Sequence, residues 1–177
     1  YVKDPFNMTP NRWEHDRMVA LAEMVVEAAG PGVEVACDLH TRLDKHSAIR
    51  LARDLEHLKL MWLEEPIPVE APAETWRRLA DAAPMPLAGG ENMLTPAMFD
   101  AALSDRALAV LQPDITKWGG FSGGLPLARR IVAAGKRYCP HMFTGAPGVL
   151  ASAHLLAAVD APGGMLEYGI GPHPARD

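Results

Sequence analysis

Cysteine is scarce in this chain, with Cys37 and Cys139 the only two among 177 residues. They fall on different, non-adjacent predicted strands, which argues against a disulfide-stapled scaffold and points to a reducing cytoplasm. Basic charge is no more plentiful. Seventeen Lys and Arg against 22 Asp and Glu leave a formal net charge of −5, so no cationic footprint exists for nucleic acid or an anionic membrane surface. No apolar run approaches the roughly 18 residues of a membrane span, and the opening residues do not read as a secretory leader. No linker or low-complexity run marks an internal boundary, so one core is expected. An initiator Met is also missing. Tyr1-Val2-Lys3 reads as the tail of a strand already under way, and Gly171-Pro172-His173-Pro174 closes the chain soon after the last predicted strand. The expectation is a fragment of a longer protein.

What the chain does hold is a rhythm of ionisable residues. Asp38, Glu64, Glu91, Asp114, His141 and Glu167 follow one another at spacings of 26, 27, 23, 27 and 26 residues. Each ends a short apolar run and precedes a turn-rich stretch and then a helical pattern. A parallel β/α barrel delivers side chains around one mouth at that period. Strands are predicted over residues 33–38, 60–64, 86–90, 107–113, 137–140 and 164–166, with 1–3 as a truncated first one. The first helix is entered at Thr9-Pro10. It carries Met18, Leu21, Ala22, Val25 and Val26 on one apolar face and ends at Gly30. A second helix starts at Asp44, with Ala48, Leu51, Ala52 and Leu55 on one face, and a third carries Trp76, Leu79 and Ala80. Thr95-Pro96 opens the fourth, with Phe99, Ala102 and Leu103 inward. A Gly-rich loop over 118–124 leads to the fifth, with Leu125, Ala128, Ile131 and Val132, and the last runs over 148–159. Seven strands and six helices make an incomplete TIM-type α/β barrel. A closed one has eight strands in about 250 residues, so one β/α unit is missing at the front.

The strand ends suggest chemistry. Asp38, Glu64 and Glu91 come from consecutive strands, and three carboxylates suit a hard cation such as Mg2+, which keeps positions open for water or substrate oxygens. One acidic strand end is usually a turn or cap residue; three at matched spacing favour a shared site. Glu65 competes with Glu64, and spacing does not separate them. His141 and Asp114 end neighbouring strands. A carboxylate on one imidazole nitrogen fixes the tautomer and raises the basicity of the other, which makes a general base. His40, two residues beyond Asp38, shares its direction along the chain. Lys117, three residues after Asp114, reads either as an active-site contact or as a solvated rim residue, with the rim preferred. His15, His46, His57 and His173 read as surface or tail residues and His154 as a packed one. Gly119-Gly120 and Gly123-Gly124 lack the spacing and acidic ribose partner of a dinucleotide fingerprint.

Six motifs stand in order and in register: Asp38-Leu39-His40; Trp62-Leu63-Glu64-Glu65-Pro66; Gly90-Glu91-Asn92; Gln112-Pro113-Asp114 with Lys117-Trp118-Gly119-Gly120; Pro140-His141; and Leu166-Glu167. Together, over about Tyr1 to Gly171, they resemble the enolase superfamily, mandelate racemase subgroup. The resemblance implies that Asp38, Glu64 (rather than Glu65) and Glu91 bind Mg2+. It implies that His141, paired with Asp114, takes the proton α to a carboxylate, and that Glu167 hydrogen-bonds the substrate carboxylate as it becomes an enediolate. Many relatives carry Asn where this chain has His40; in the acid-sugar dehydratases of the subgroup, a His there is similar to a general acid for the departing β-hydroxyl. Relatives also carry a Lys-x-Lys pair on the second barrel strand. Here only Tyr1-Val2-Lys3-Asp4-Pro5 remains, with Lys3 as the candidate inward lysine. The amino-terminal capping domain is absent, so residues 1–177 are expected to be the catalytic barrel domain without its first β/α unit.

The resulting expectation is a cytoplasmic, Mg2+-dependent lyase that dehydrates an acid sugar to a 2-keto-3-deoxy acid. Its partner would be a small-molecule carboxylate, with no nucleic acid and no membrane, and the resemblance implies a homo-oligomer. A racemase or epimerase of a 2-hydroxy acid keeps the metal and His141 but needs a second base such as Lys3. A non-catalytic binding protein on the same barrel is the reading from another class. Against it stands the intact set of Asp38, Glu64, Glu91, Asp114 and His141, since uncompensated carboxylates repel one another.

Overall fold

A computed structural model describes residues 9–143 and 145–169, so Lys3 and the expected first strand lie outside the described residues. The chain divides into two compact units, Tyr1–Ala88 and Gly89–Asp177. Among the described residues there are five parallel strands and six α-helices, the α/β architecture expected.

The first unit opens with α1 (Arg12–Ala29), which starts two residues later than Thr9-Pro10 suggests. Asn11 is the cap: its side chain accepts from the Glu14 N–H at 3.0 Å, and the Glu14 carboxylate accepts from the Asn11 N–H at 2.8 Å. That reciprocal box satisfies two orphan amide groups, which a Thr-Pro entry does not. Gly30, with φ +72°, ends the helix as expected. The predicted apolar face is only partly covered, with Leu21 and Val25 exposed. With Val35, Leu51 and Leu55 they line a cavity of roughly 370 Å³. His15, expected on the surface, is instead buried, with Nε2 2.7 Å from Asp54 and Nδ1 accepting from Arg50 Nε.

Strand β1 (Cys37–Asp38) pairs with β2 (Leu63–Glu64), and β2 pairs with β3 (Leu87–Gly89). These strands are shorter than predicted, although ladder-like bonds flank them: Met61 N–H to the Val35 carbonyl at 2.8 Å and Leu39 N–H to the Glu64 carbonyl at 3.0 Å. Between β1 and β2 lies α2 (Lys45–Asp54), capped by Asp44 through the amides of His46 and Ser47. Helix α3 (Ala73–Ala82) follows β2 and packs against α2. Ala48, Leu51, Ala52, Leu63, Leu79 and Leu87 fill this core at 1% exposure or less. Apolar strands covered in this way carry continuous rather than alternating hydrophobicity.

The second unit holds α4 (Pro96–Ser104), β4 (Val110–Leu111), α5 (Gly120–Ala133), β5 (Arg137–Tyr138) and α6 (Ala146–Ala157). Thr95 caps α4 with Pro at the first position, as expected. Helix α5 begins inside the stretch expected to be a Gly-rich loop. Gly119, at φ +75°, turns the chain into the helix, and the next glycines permit close packing. A Cβ on Gly123 would meet the Trp118 ring at 3.2 Å, and one on Gly124 would lie 2.8 Å from Leu155. Residues 164–166, expected as a strand, join no ladder among the described residues; the Gly164 N–H instead closes a turn onto the Ala161 carbonyl. His154, expected to be packed, is exposed on α6. Cys37 and Cys139 are both free thiols.

Gly90 sets the exit from β3 toward Glu91. Its φ is +127°, and an added Cβ would stand 3.2 Å from the Gln112 amide nitrogen, whose N–H is held by the Gly89 carbonyl at 2.9 Å. Gly90→Ala is therefore expected to destabilise the fold by about 1–3 kcal/mol, read as a lowered urea midpoint; an unchanged midpoint would contradict the constraint.

Candidate active site

The second unit assembles a charged cluster from the exits of its strands. Asp114 follows β4 and is 2% exposed. Its Oδ1 accepts from both the amide and the hydroxyl of Thr116 at 2.7 Å, which fixes the carboxylate plane. Its Oδ2 meets His141 Nδ1 at 2.8 Å. His141 follows β5 and presents Nε2 to Glu91 Oε2 at 2.5 Å. On Glu91 the other oxygen, Oε1, accepts from Asn92 Nδ2 at 2.9 Å and lies 3.5 Å from Lys117 Nζ. Glu167 Oε2 accepts the Met142 N–H at 2.8 Å and sits 3.9 Å from His141 Nε2. Four expected residues, Glu91, Asp114, His141 and Glu167, are thus brought together.

Lys117 is a correction. Of the two readings the sequence offered, the preferred one put it on the rim; it instead reaches the cluster, on a loop whose Lys117 and Trp118 amides both bond the Asp114 carbonyl. Thr116 was not singled out from sequence, and Asn92 only as a member of the Gly90-Glu91-Asn92 motif, with no role given to it. An Asp-x-Thr side-chain turn was the available signal for Thr116; nothing in the spacing marked Asn92.

The electrostatics follow from this packing. Burial alone would push the His141 pKa down. The hydrogen bonds to Asp114 and Glu91, with the charges of Glu91 and Glu167, outweigh it and raise the pKa to about 10. For Asp114 burial pushes up, but the His141 and Thr116 hydrogen bonds dominate and hold the carboxyl at about 2. In this arrangement His141 is an imidazolium between two carboxylates.

The first unit places Asp38 and Glu64 as direct ladder partners. Partners in a ladder share a face and successive residues alternate, so Glu64 rather than Glu65 shares a face with Asp38. Glu64 Oε2 accepts from Trp62 Nε1 at 2.9 Å, and Asp38 Oδ1 accepts the His40 N–H at 2.7 Å. His40 is exposed. Its φ is +45°, Thr41 has +61° and Glu65 +36°, and the Thr41 N–H bonds the Glu65 carbonyl. Left-handed backbone at three non-glycine residues costs about 1–3 kcal/mol each and is characteristic of functional strand ends.

Within the first unit, Asp38 and Glu64 offer hard carboxylate oxygens on ladder partners, the donor chemistry that Mg2+ takes. Among the described residues no group of three or more His, Cys, Asp or Glu side chains is gathered to hold a metal ion. Glu91, the expected third ligand, engages side chains of its own unit with both oxygens. No helix among the described residues is long and apolar enough to cross a membrane.

Comparison with known proteins bears on the family and the fold. The family model described as Enolase C-terminal domain-like matches residues 4–174. A D-galactonate dehydratase from Verminephrobacter eiseniae is 34% identical over 161 residues, 91% of this chain and 42% of that protein. A D-xylonate dehydratase from Haloferax volcanii is 31% identical over 90% of this chain and 38% of its own length. A mandelate racemase/muconate lactonizing enzyme structure from Bordetella bronchiseptica is 45% identical, with a TM-score of 0.89, covering 96% of this chain and 47% of that one. The chain therefore spans less than half the length of these relatives.

The pKa shifts predict a pH profile of stability. His141 is raised from 6.5 to about 10, so its contribution is full below pH 6.5 and is lost as pH rises through about 10. Asp114 is lowered from 3.8 to about 2, so its contribution is present above pH 3.8 and is lost as pH falls through about 2. In EDTA, the urea midpoint should fall between pH 6.5 and 10, and His141→Asn should flatten that fall. An identical slope in the variant would refute the assignment.

Proposed function

The chain belongs to the Enolase C-terminal domain-like family, in the mandelate racemase branch of the enolase superfamily, and from that premise we propose that it abstracts the proton α to a carboxylate. The observation that carries the proposal is the His141 imidazole, fixed by Asp114 through Nδ1 with Nε2 turned to the charged cluster. The substrate class we propose is an acid sugar, an aldonate or aldarate. The dehydratase relatives, which act by name on D-galactonate and D-xylonate, support that class.

In this proposal Asp38, Glu64 and Glu91 hold Mg2+, which when bound would stabilise the negative charge growing on the substrate carboxylate. In this role His141 Nε2 is neutral and accepts the proton, and Glu91 would be one of the residues that hold the metal. His141 takes the α-proton, and the C–H electron pair moves into the carboxylate to form the enediolate. Asp114 keeps the imidazole oriented and stabilises its charge. Glu167 donates a hydrogen bond to the enediolate when protonated. Collapse of the enediolate breaks the β carbon–oxygen bond, and His40 gives its proton to the departing hydroxyl, which leaves as water. The enol then tautomerises to the 2-keto-3-deoxy acid. The protein would work in the cytoplasm as a homo-oligomer.

A racemase or epimerase reading is favoured by the name of the Bordetella bronchiseptica neighbour. It requires a second base in place of the acid His40. Lys3, the candidate, lies outside the described residues. A non-catalytic binding protein accounts poorly for the buried Asp114, His141 and Glu91 charges, which are costly to keep without a task.

The test is to incubate the full-length protein with Mg2+ and a panel of acid sugars including D-galactonate and D-xylonate, and to measure 2-keto-3-deoxy product as its semicarbazone. Product should form with at least one sugar. His141→Asn and His40→Asn should each lower the rate by about 10²–10⁴-fold. No product from any sugar, or full activity in His40→Asn, would exclude the dehydratase.

A further inference from the structure

We propose that Lys117 is a substrate-binding residue, whose ammonium holds an acidic oxygen of the substrate beside His141. The assignment rests on the reading of this cluster as one that takes a carboxylate substrate. It adds a residue to which that reading gave no role.

The argument starts from charge. Glu91, Asp114 and Glu167 place three carboxylates around one imidazole. An incoming carboxylate would add another negative charge, and like charges disfavour it unless a cation answers. His141 cannot be that cation when it acts as the base, because its Nε2 must then be neutral. Among the described residues, Lys117 is the other cation seen in this cluster. Elsewhere in the second unit the ammonium of Lys136 is taken up by the carbonyls of Asp105 and Leu108, Arg137 bonds the Gly163 carbonyl and Arg130 pairs with Asp100.

Geometry points the same way. Lys117 Nζ lies 3.5 Å from Glu91 Oε1, while the other oxygen of that carboxylate meets the base nitrogen of His141 at 2.5 Å. The ammonium is therefore one carboxylate's width from the proton-accepting atom. Its side chain is 35% exposed whereas that of Glu91 is 5% exposed, so the ammonium stands on the open side of the cluster. The root of the side chain is fixed: the Lys117 and Trp118 amides bond the Asp114 carbonyl at 3.1 and 3.0 Å. The Trp118 ring packs on Phe99 at 5.0 Å between centroids. A pinned backbone carrying a flexible four-carbon stem lets the ammonium turn from Glu91 to a ligand without moving the loop.

The experiment uses oxalate, a small dicarboxylate that needs no turnover, with the full-length protein in saturating Mg2+. Calorimetry gives oxalate affinity, and a separate titration gives the affinity for Mg2+ alone, for wild type, Lys117→Met and Lys117→Arg. The proposal expects Lys117→Met to weaken oxalate by about tenfold or more, with Mg2+ affinity and melting temperature close to wild type. Lys117→Arg should stay within about threefold. Wild-type oxalate affinity in Lys117→Met would overturn it, as would no oxalate binding by wild type. Loss of Mg2+ affinity in Lys117→Met would also overturn it, because Lys117 would then act only as a tether for Glu91. Failure of the dehydratase reading looks different: oxalate binds in a Lys117-dependent way, yet no acid sugar loses water.

Discussion

The hydrogen bond between Asp114 Oδ2 and His141 Nδ1 is the constraint on which the rest of the second unit depends. Both side chains are buried, and a buried charge is tolerated only when it is paired and hydrogen-bonded. The pair explains the surrounding details. Thr116 closes the free lone pairs of Asp114, and the loop it starts carries Lys117 back to Glu91. Gly90 adopts a backbone that side chains rarely take, so that Glu91 can follow β3 close against Gln112. Removing either member of the pair leaves an uncompensated charge, a defect costing roughly 3–5 kcal/mol.

The first unit stores its constraint in the backbone. Two consecutive left-handed residues, His40 and Thr41, follow Asp38, and a third, Glu65, follows Glu64. The two strained exits are tied by the Thr41–Glu65 hydrogen bond, and Trp62, just before β2, holds the Glu64 carboxylate. Strained residues of this kind cluster at functional sites, and here they stand where two carboxylates leave neighbouring strands. It also shortens the ladders, because the chain turns away immediately after the ionisable residue.

Much of this was legible in the amino-acid sequence, for physical reasons. Strand ends are marked because an apolar run must stop where an ionisable side chain and a turn begin, so the spacing of Asp38, Glu64, Glu91, Asp114 and His141 predicts the parallel α/β fold and the adjacency of His141 to Asp114. The helix starts at Asp44 and Thr95-Pro96 were equally plain, and in the structure both side chains cap amides three residues away or fewer. What was not legible depends on contacts between distant residues. His15 looks like a surface residue until Asp54 and Arg50 are seen beside it. The glycines at 123 and 124 suggest a loop, but they sit in a helix because Trp118 and Leu155 need the room. Lys117 looks like a rim residue because nothing local says that Glu91, 26 residues earlier, stands beside its ammonium. Glu64 and Glu65 were inseparable by spacing, and the register with Asp38 separates them.

The central claim is that His141, oriented by Asp114, takes a proton from the carbon next to a carboxylate. The measurement that reaches it most directly is proton NMR in D₂O on the full-length protein with Mg2+ and acid sugars, following the α-hydrogen. The account predicts loss of that signal or deuterium at the α-carbon with wild type, absence of exchange with His141→Asn, and strongly slowed exchange with Asp114→Asn. Exchange that persists unchanged in His141→Asn would contradict it.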